Sequence, residues 1–108
     1  MSTFSLNDLE AIVEQRSSAG AETSYTARLL EKGPLKCAEK FGEEAVELAL
    51  ATAAQEQEDV ANEAADVLYH LMVLLRARSV SLDQVMEILN QRTAQSGLAE
   101  KAARSAPE

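Results

Sequence analysis

From Pro34 to Ala54 the chain runs without a helix breaker other than Gly42, and after a polar junction at Gln55–Asp59 a second such run, starting at about Gln57, reaches Arg76. Both runs are rich in Ala, Leu, Glu and Gln, which are strong helix formers. No strand-like alternation competes with the helical period. Two long helices joined so briefly must fold back on one another as an antiparallel hairpin. The class is therefore all-α, and the remaining segments, which bring the total to four to five helices, have to be arranged around that hairpin.

Local signals place those segments. Ser5 with Asp8 forms a capping box, and Leu6, Leu9, Ile12 and Val13 then make one apolar stripe, predicting a first helix that runs to about Gln15 or Arg16. Ser17–Thr23 reads as a loop. Ser24 caps a short helix carrying Tyr25, Leu29 and Leu30, which Gly33 ends, and Pro34 suits the first turn of the next helix. Ser81 with Gln84 is a second capping box, and Leu82, Val85, Ile88 and Leu89 are expected to form the buried stripe of a last helix ending before Gly97. Residues 1–94 make one all-α domain of ordinary size. Residues 95–108 lack a sustained stripe and are expected to be a flexible C-terminal tail. A domain this small buries little surface, and Leu68, Leu71, Leu74 and Leu75 would be only partly covered by short flanking helices. A homodimer, forming a shared helix bundle, is the expected remedy.

Charge and composition exclude several classes. There are 18 Asp and Glu against 10 Lys and Arg, for a net charge of −8. Duplex nucleic acid, whose affinity for proteins comes largely from cations neutralising phosphates, is not an expected partner. No apolar run approaches the roughly 20 residues of a membrane span. The polar stretch Ser2–Asp8 has no secretory character, so a cytoplasmic location is expected. One cysteine, Cys37, and one histidine, His70, make neither a disulfide framework nor a zinc site. Cys37 reads as a small buried hydrophobe.

The acids of the hairpin are not spread evenly. Glu44 and Glu47 lie about 60° apart on one helix, and Glu63 and Asp66 repeat that relation on the next. Cys37, Phe41 and Leu48 project within roughly 60° of Glu44, and Val60, Val67 and Leu74 within roughly 60° of Glu63, so the carboxylates border the apolar seam. A single Glu-x-x-Glu is usually a solvated face. Two such pairs on consecutive antiparallel helices, with further acid at Glu43, converge instead on one partly desolvated cleft. Two of these charges about 4 Å apart would repel by about 4 kcal/mol at an effective dielectric of 20. Cations relieve that repulsion, and oxygen-only ligation favours Mg²⁺, with Mn²⁺ as the alternative, over zinc or copper.

Mg²⁺ holds few protein carboxylates and shares substrate phosphates, so the implied ligand is a polyphosphate. Glu43 or Glu47 is placed to orient or deprotonate an attacking water. Arg28, Lys32, Lys36 and Lys40 precede the acids and could neutralise the remaining phosphate charge. Lys36, Lys40 and Glu44 are also spaced for ordinary helix ion pairs. His70, about 20° from Glu63 on the helix surface, either meets substrate or is a hydrogen-bonded interface histidine, the second being preferred. Tyr69 reads as packing. Gly42 costs about 1 kcal/mol relative to Ala in a helix interior, which suggests close approach by substrate or by another helix.

The segments Ser24-Tyr25-Thr26-Ala27-Arg28-Leu29-Leu30, Lys32-Gly33-Pro34, Lys40-Phe41-Gly42-Glu43-Glu44-Ala45-Val46-Glu47 and Asn62-Glu63-Ala64-Ala65-Asp66-Val67-Leu68-Tyr69-His70-Leu71 closely resemble the phosphoribosyl-ATP pyrophosphatases, within the all-α, MazG-like nucleotide pyrophosphohydrolases. The resemblance covers about Leu6 to Arg92. It implies that Glu44, Glu47, Glu63 and Asp66 ligate magnesium, with Glu43 as an extra ligand or water-orienting base. The implied reaction is hydrolysis of the α–β phosphoanhydride of phosphoribosyl-ATP to phosphoribosyl-AMP and pyrophosphate, the second step of histidine biosynthesis. Members usually carry Gly at the position of Ser79. No residues remain for a fused cyclohydrolase, so a stand-alone form is expected. Two competing readings share these residues: a house-cleaning nucleoside triphosphate pyrophosphohydrolase, and a non-catalytic helical dimerisation module.

Overall fold

The computed structural model of the chain describes residues 3–94 and 104. These form five helices, α1 (Leu6–Ser17), α2 (Tyr25–Glu31), α3 (Pro34–Ala54), α4 (Gln57–Ala77) and α5 (Leu82–Thr93), with no strand among the described residues. The tail expected at 95–108 lies, but for residue 104, outside them. No described helix is long and apolar enough to cross a membrane.

The helix starts follow the capping chemistry. Asp8 N–H donates to Ser5 Oγ at 3.1 Å and Ser5 N–H to Asp8 Oδ2 at 2.9 Å, and Ser81 and Gln84 repeat the exchange at the head of α5. Ser24 does two jobs: its Oγ accepts from Ala27 N–H at 3.1 Å and donates to Arg16 O at 2.9 Å, fastening the head of α2 to the end of α1. Gly33 has φ 97°, a left-handed conformation without penalty for glycine, and Pro34 begins α3.

Only Gln55 and Glu56 separate α3 from α4, and the two 21-residue helices pack along each other as the expected antiparallel hairpin, each about 31 Å long at 1.5 Å per residue. Helix α2 packs across α3 and α4, α1 packs on α2 and α4, and α5 touches α1. The core lies at one end of the hairpin, where Val13, Leu29, Cys37, Met72, Val73 and Leu82 are buried together. Towards the α3–α4 junction little besides Ala51 is buried. The acids at positions 44–66 therefore sit where the covered part of the hairpin gives way to the bare part.

The stripe expected for α5 is only partly buried. Leu82 is buried and Val85 half-buried, but Ile88 and Leu89 are exposed; among the described residues α5 packs chiefly on α1, which Leu82 at its start contacts through Glu10. Helix α3 carries a more extensive unpartnered face: Leu35, Val46 and Leu50 are 76%, 58% and 62% exposed. Those three residues and Gly42 project within about 80° of one another.

Candidate active site

Antiparallel packing in this register brings the carboxylates of α3 against those of α4. Glu44, Glu63 and Asp66 each present an oxygen within 4.8 Å of the others. Glu44 is buried, Glu63 half-buried and Asp66 exposed, so the cluster opens from the hairpin seam to the surface. Glu47 lies near enough for its charge to raise the pKa of Glu63, but outside that tight trio. Glu43 is not part of the trio; its side chain is 64% exposed and its Oε2 is 3.4 Å from Lys40 Nζ, which also reaches Glu44.

The electrostatics mark Glu63 as the strained member. Its pKa is raised, first by burial and then by the charges of Glu47, Asp66 and Glu44. Its Oε2 is buried with no hydrogen-bond partner. A buried carboxylate oxygen without a donor is costly, and the charges acting on its carboxyl group are those of three further acids. Three carboxyl groups on two rigid helices, one with an unsatisfied oxygen, could hold a metal ion.

An aromatic cluster backs the acids. His70 is buried on α4, with Nε2 4.0 Å from Glu44 Oε1, too long for a hydrogen bond. Its ring meets the edges of Tyr25 and Tyr69 at centroid distances of 6.1 and 5.1 Å. The Tyr69 hydroxyl is hydrogen-bonded to the buried Thr26 hydroxyl, so α2 fixes the α4 rings. Burial lowers the His70 pKa, against the pull of Glu44, and favours the neutral ring.

Beside the acids, Tyr25, Leu29, Lys32, Lys36, Lys40 and Glu43 line a groove of about 240 Å³. Three of the four expected cations are thus together. Arg28 is not among them, and its Nε donates to Ala21 O at 3.2 Å. Lys36 is 2.9 Å from Glu39, and Lys40 reaches both Glu43 and Glu44. Tyr25 was not singled out from the sequence; half-exposed at the start of a seven-residue helix, it shows no periodic signal, and only its place in the Ser24-Tyr25-Thr26 segment pointed to it. Cys37 is buried, donates weakly to Leu29 O at 3.4 Å, and has its pKa raised by burial, as suits a packed thiol rather than a nucleophile.

Comparison with known proteins bears on the same residues. The phosphoribosyl-ATP pyrophosphohydrolase family model matches residues 6–93. A phosphoribosyl-ATP pyrophosphatase of Methylobacterium radiotolerans is 57% identical over 104 residues, covering 96% of this chain and 97% of the relative. Phosphoribosyl-ATP pyrophosphatase 1 of Rhodopseudomonas palustris is 51% identical with the same coverage, and the Rhodobacter capsulatus pyrophosphatase is 57% identical over 99 residues, 92% of this chain and 96% of its own. The match runs through every helix that builds the acid cluster and the lysine groove, and the chain belongs to the phosphoribosyl-ATP pyrophosphohydrolase family.

Proposed function

We propose that the protein hydrolyses the α–β phosphoanhydride of phosphoribosyl-ATP, giving phosphoribosyl-AMP and pyrophosphate, as the second step of histidine biosynthesis. The observation that carries this reading is the meeting of Glu44, Glu63 and Asp66, with the unpartnered Glu63 oxygen among them, next to a lysine-lined groove. Residues 1–94 form the catalytic unit. A biosynthetic enzyme of this kind, with no membrane-crossing helix among its described residues, suits the cytoplasm.

Glu44, Glu63 and Asp66, with Glu47 at their side, would hold Mg²⁺ or Mn²⁺. A divalent ion there supplies electrophilic polarisation of the phosphoryl oxygens. The protein does the rest. Lys32, Lys36 and Lys40 bind phosphate oxygens in the groove and offset their charge. Glu43 or Glu47, exposed on α3, orients a water and takes its proton at a carboxylate oxygen as that water attacks one phosphorus of the α–β anhydride, whose bond to the bridging oxygen breaks so that pyrophosphate and phosphoribosyl-AMP separate. His70, buried beside Glu44, helps to keep water from that side of the cluster.

A second copy of the chain completes the molecule in this reading. The exposed α3 face of Leu35, Val46 and Leu50 is apolar, and Leu68 on α4 is also exposed. Among the described residues, nothing beyond its own neighbours and helix backbone lies within 4 Å of where a Gly42 side chain would begin, so packing among them does not explain this helix-destabilising residue. A neighbouring helix crossing there would use both the large side chains and the gap.

Pyrophosphate release from phosphoribosyl-ATP with Mg²⁺ tests the assignment directly. Glu44→Gln and Asp66→Asn should each lower turnover by about 10²-fold or more, the scale for removing a principal electrostatic stabiliser. Unchanged rates in both variants would show that other acids do the work. Preferential turnover of a free deoxynucleoside triphosphate would overturn the substrate.

A further inference from the structure

Lys40 belongs to two neighbourhoods at once. Its Nζ is 3.4 Å from Glu43 Oε2 and 3.6 Å from Glu44 Oε1, and the same side chain lines the groove with Tyr25, Lys32 and Lys36. Lys36, one turn earlier, is turned instead to Glu39. Glu44 is the buried member of the acid trio, and the other basic side chain at its Oε1 is His70. Of the two, Lys40 Nζ is the nearer to Glu44 Oε1, at 3.6 Å against 4.0 Å for His70 Nε2, and it carries its charge on a flexible stem.

An ammonium and a divalent ion compete for one carboxylate, since each raises the energy of the other at short range. The lysine has a flexible four-carbon stem and, in the groove, an alternative anionic partner whenever a polyphosphate is bound. Resting on the function proposed above, we propose that Lys40 is an exchangeable counter-ion: it neutralises Glu44 in the free protein and transfers to substrate phosphate when a divalent ion joins the carboxylates. Substrate binding then strengthens ion binding by drawing the lysine off, and linkage requires the ion to strengthen substrate binding by the same factor. One side chain thereby couples the two halves of the site.

The test measures Mn²⁺ affinity of the free protein by titration calorimetry, and KM for phosphoribosyl-ATP at saturating Mn²⁺, in wild type, Lys40→Met, Lys40→Arg and Lys32→Met. Removing the competing charge should tighten Mn²⁺ binding of Lys40→Met about three- to tenfold, as expected for screened charges a few ångströms apart. The same variant should raise KM about tenfold or more, the loss of a charge-assisted phosphate contact. Lys40→Arg should keep Mn²⁺ affinity at the wild-type level, and Lys32→Met should raise KM while leaving Mn²⁺ affinity alone. The opposite signs in Lys40→Met are the signature, because a purely structural ion pair would not tighten ion binding when lost. Unchanged or weaker Mn²⁺ binding in Lys40→Met, with a wild-type circular dichroism spectrum, overturns the exchange whatever KM does. The Mn²⁺ titration needs no turnover, so it decides the exchange even if the substrate assignment fails; wild-type protein that binds no Mn²⁺ overturns both.

Discussion

Glu63 is where stability and chemistry oppose each other. Burial and three neighbouring carboxylates raise its pKa, and one of its oxygens has no partner, so its ionised form destabilises the ion-free fold. Glu63→Gln should raise the melting temperature measured in chelator and abolish the rise that Mg²⁺ or Mn²⁺ produces in wild type. A variant that melts lower in chelator, or still responds fully to the ion, would remove Glu63 from the site. Cys37, about two helical turns before Glu44, titrates for a different reason. Burial raises its pKa above the ordinary 9.0, so the unfolded thiol ionises first and the fold loses stability as pH rises from about 9 through the raised value. Cys37→Ala, less stable at pH 7 from lost packing, should therefore lose less between pH 8 and 10 than wild type in denaturant titrations. At this scale the acids, three lysines and the buried thiol were legible as residue types at helical spacings. Tyr25 was not, and neither was the exposure of Glu43 against the burial of Glu44, because that depends on neighbours that spacing does not name.

Among the elements, the turn between α4 and α5 is the weak join. Ser79 has φ 57°, a left-handed conformation that L-residues with a Cβ adopt at a cost of roughly 1–2 kcal/mol. Glycine, which the resemblance leads one to expect here, would adopt this backbone conformation without that cost. Ser79→Gly should stabilise the protein by about 1 kcal/mol, after allowing for the greater freedom of glycine when unfolded, as read from the urea midpoint. A lower midpoint would mean that the serine side chain contributes more than its backbone costs. The same turn is fastened from a distance: Leu82 N–H donates to Glu10 Oε2 at 2.7 Å, so α1 helps cap α5. The capping boxes at Ser5 and Ser81 could be read in the sequence because donor and acceptor are three residues apart. The Glu10 contact could not, since it joins residues brought near only by the packing of α1 on α4.

In the molecule as a whole, the distribution of apolar surface is the strongest clue to assembly. Leu50 is exposed on the bare α3 face, so Leu50→Glu should cost the single chain little, roughly 0.5 kcal/mol or less for a surface change. It should nevertheless convert a dimer to monomer in analytical ultracentrifugation, because an unpaired charge buried between two chains is strongly disfavoured. A wild-type protein that is monomeric at micromolar concentration would remove the expected partner copy. The exposed Ile88 and Leu89 of α5 carry the same lesson, since a periodic stripe states that a face is apolar but not what covers it. The sequence by itself determined the helices, their caps and the hairpin, because those depend on contacts within one turn or across one short link. It also determined that acids border the apolar seam, because helical period fixes the face on which a residue stands. Only the tertiary structure decided which carboxylates meet, that Glu47 stands beside the trio rather than within it, that Arg28 is held away from the lysine groove, and that α2 carries Tyr25 and Thr26 to the back of the acids. Those outcomes turn on the register and rotation of one helix against another, which are set by the sum of many packing contacts between distant residues rather than by any local run of side chains.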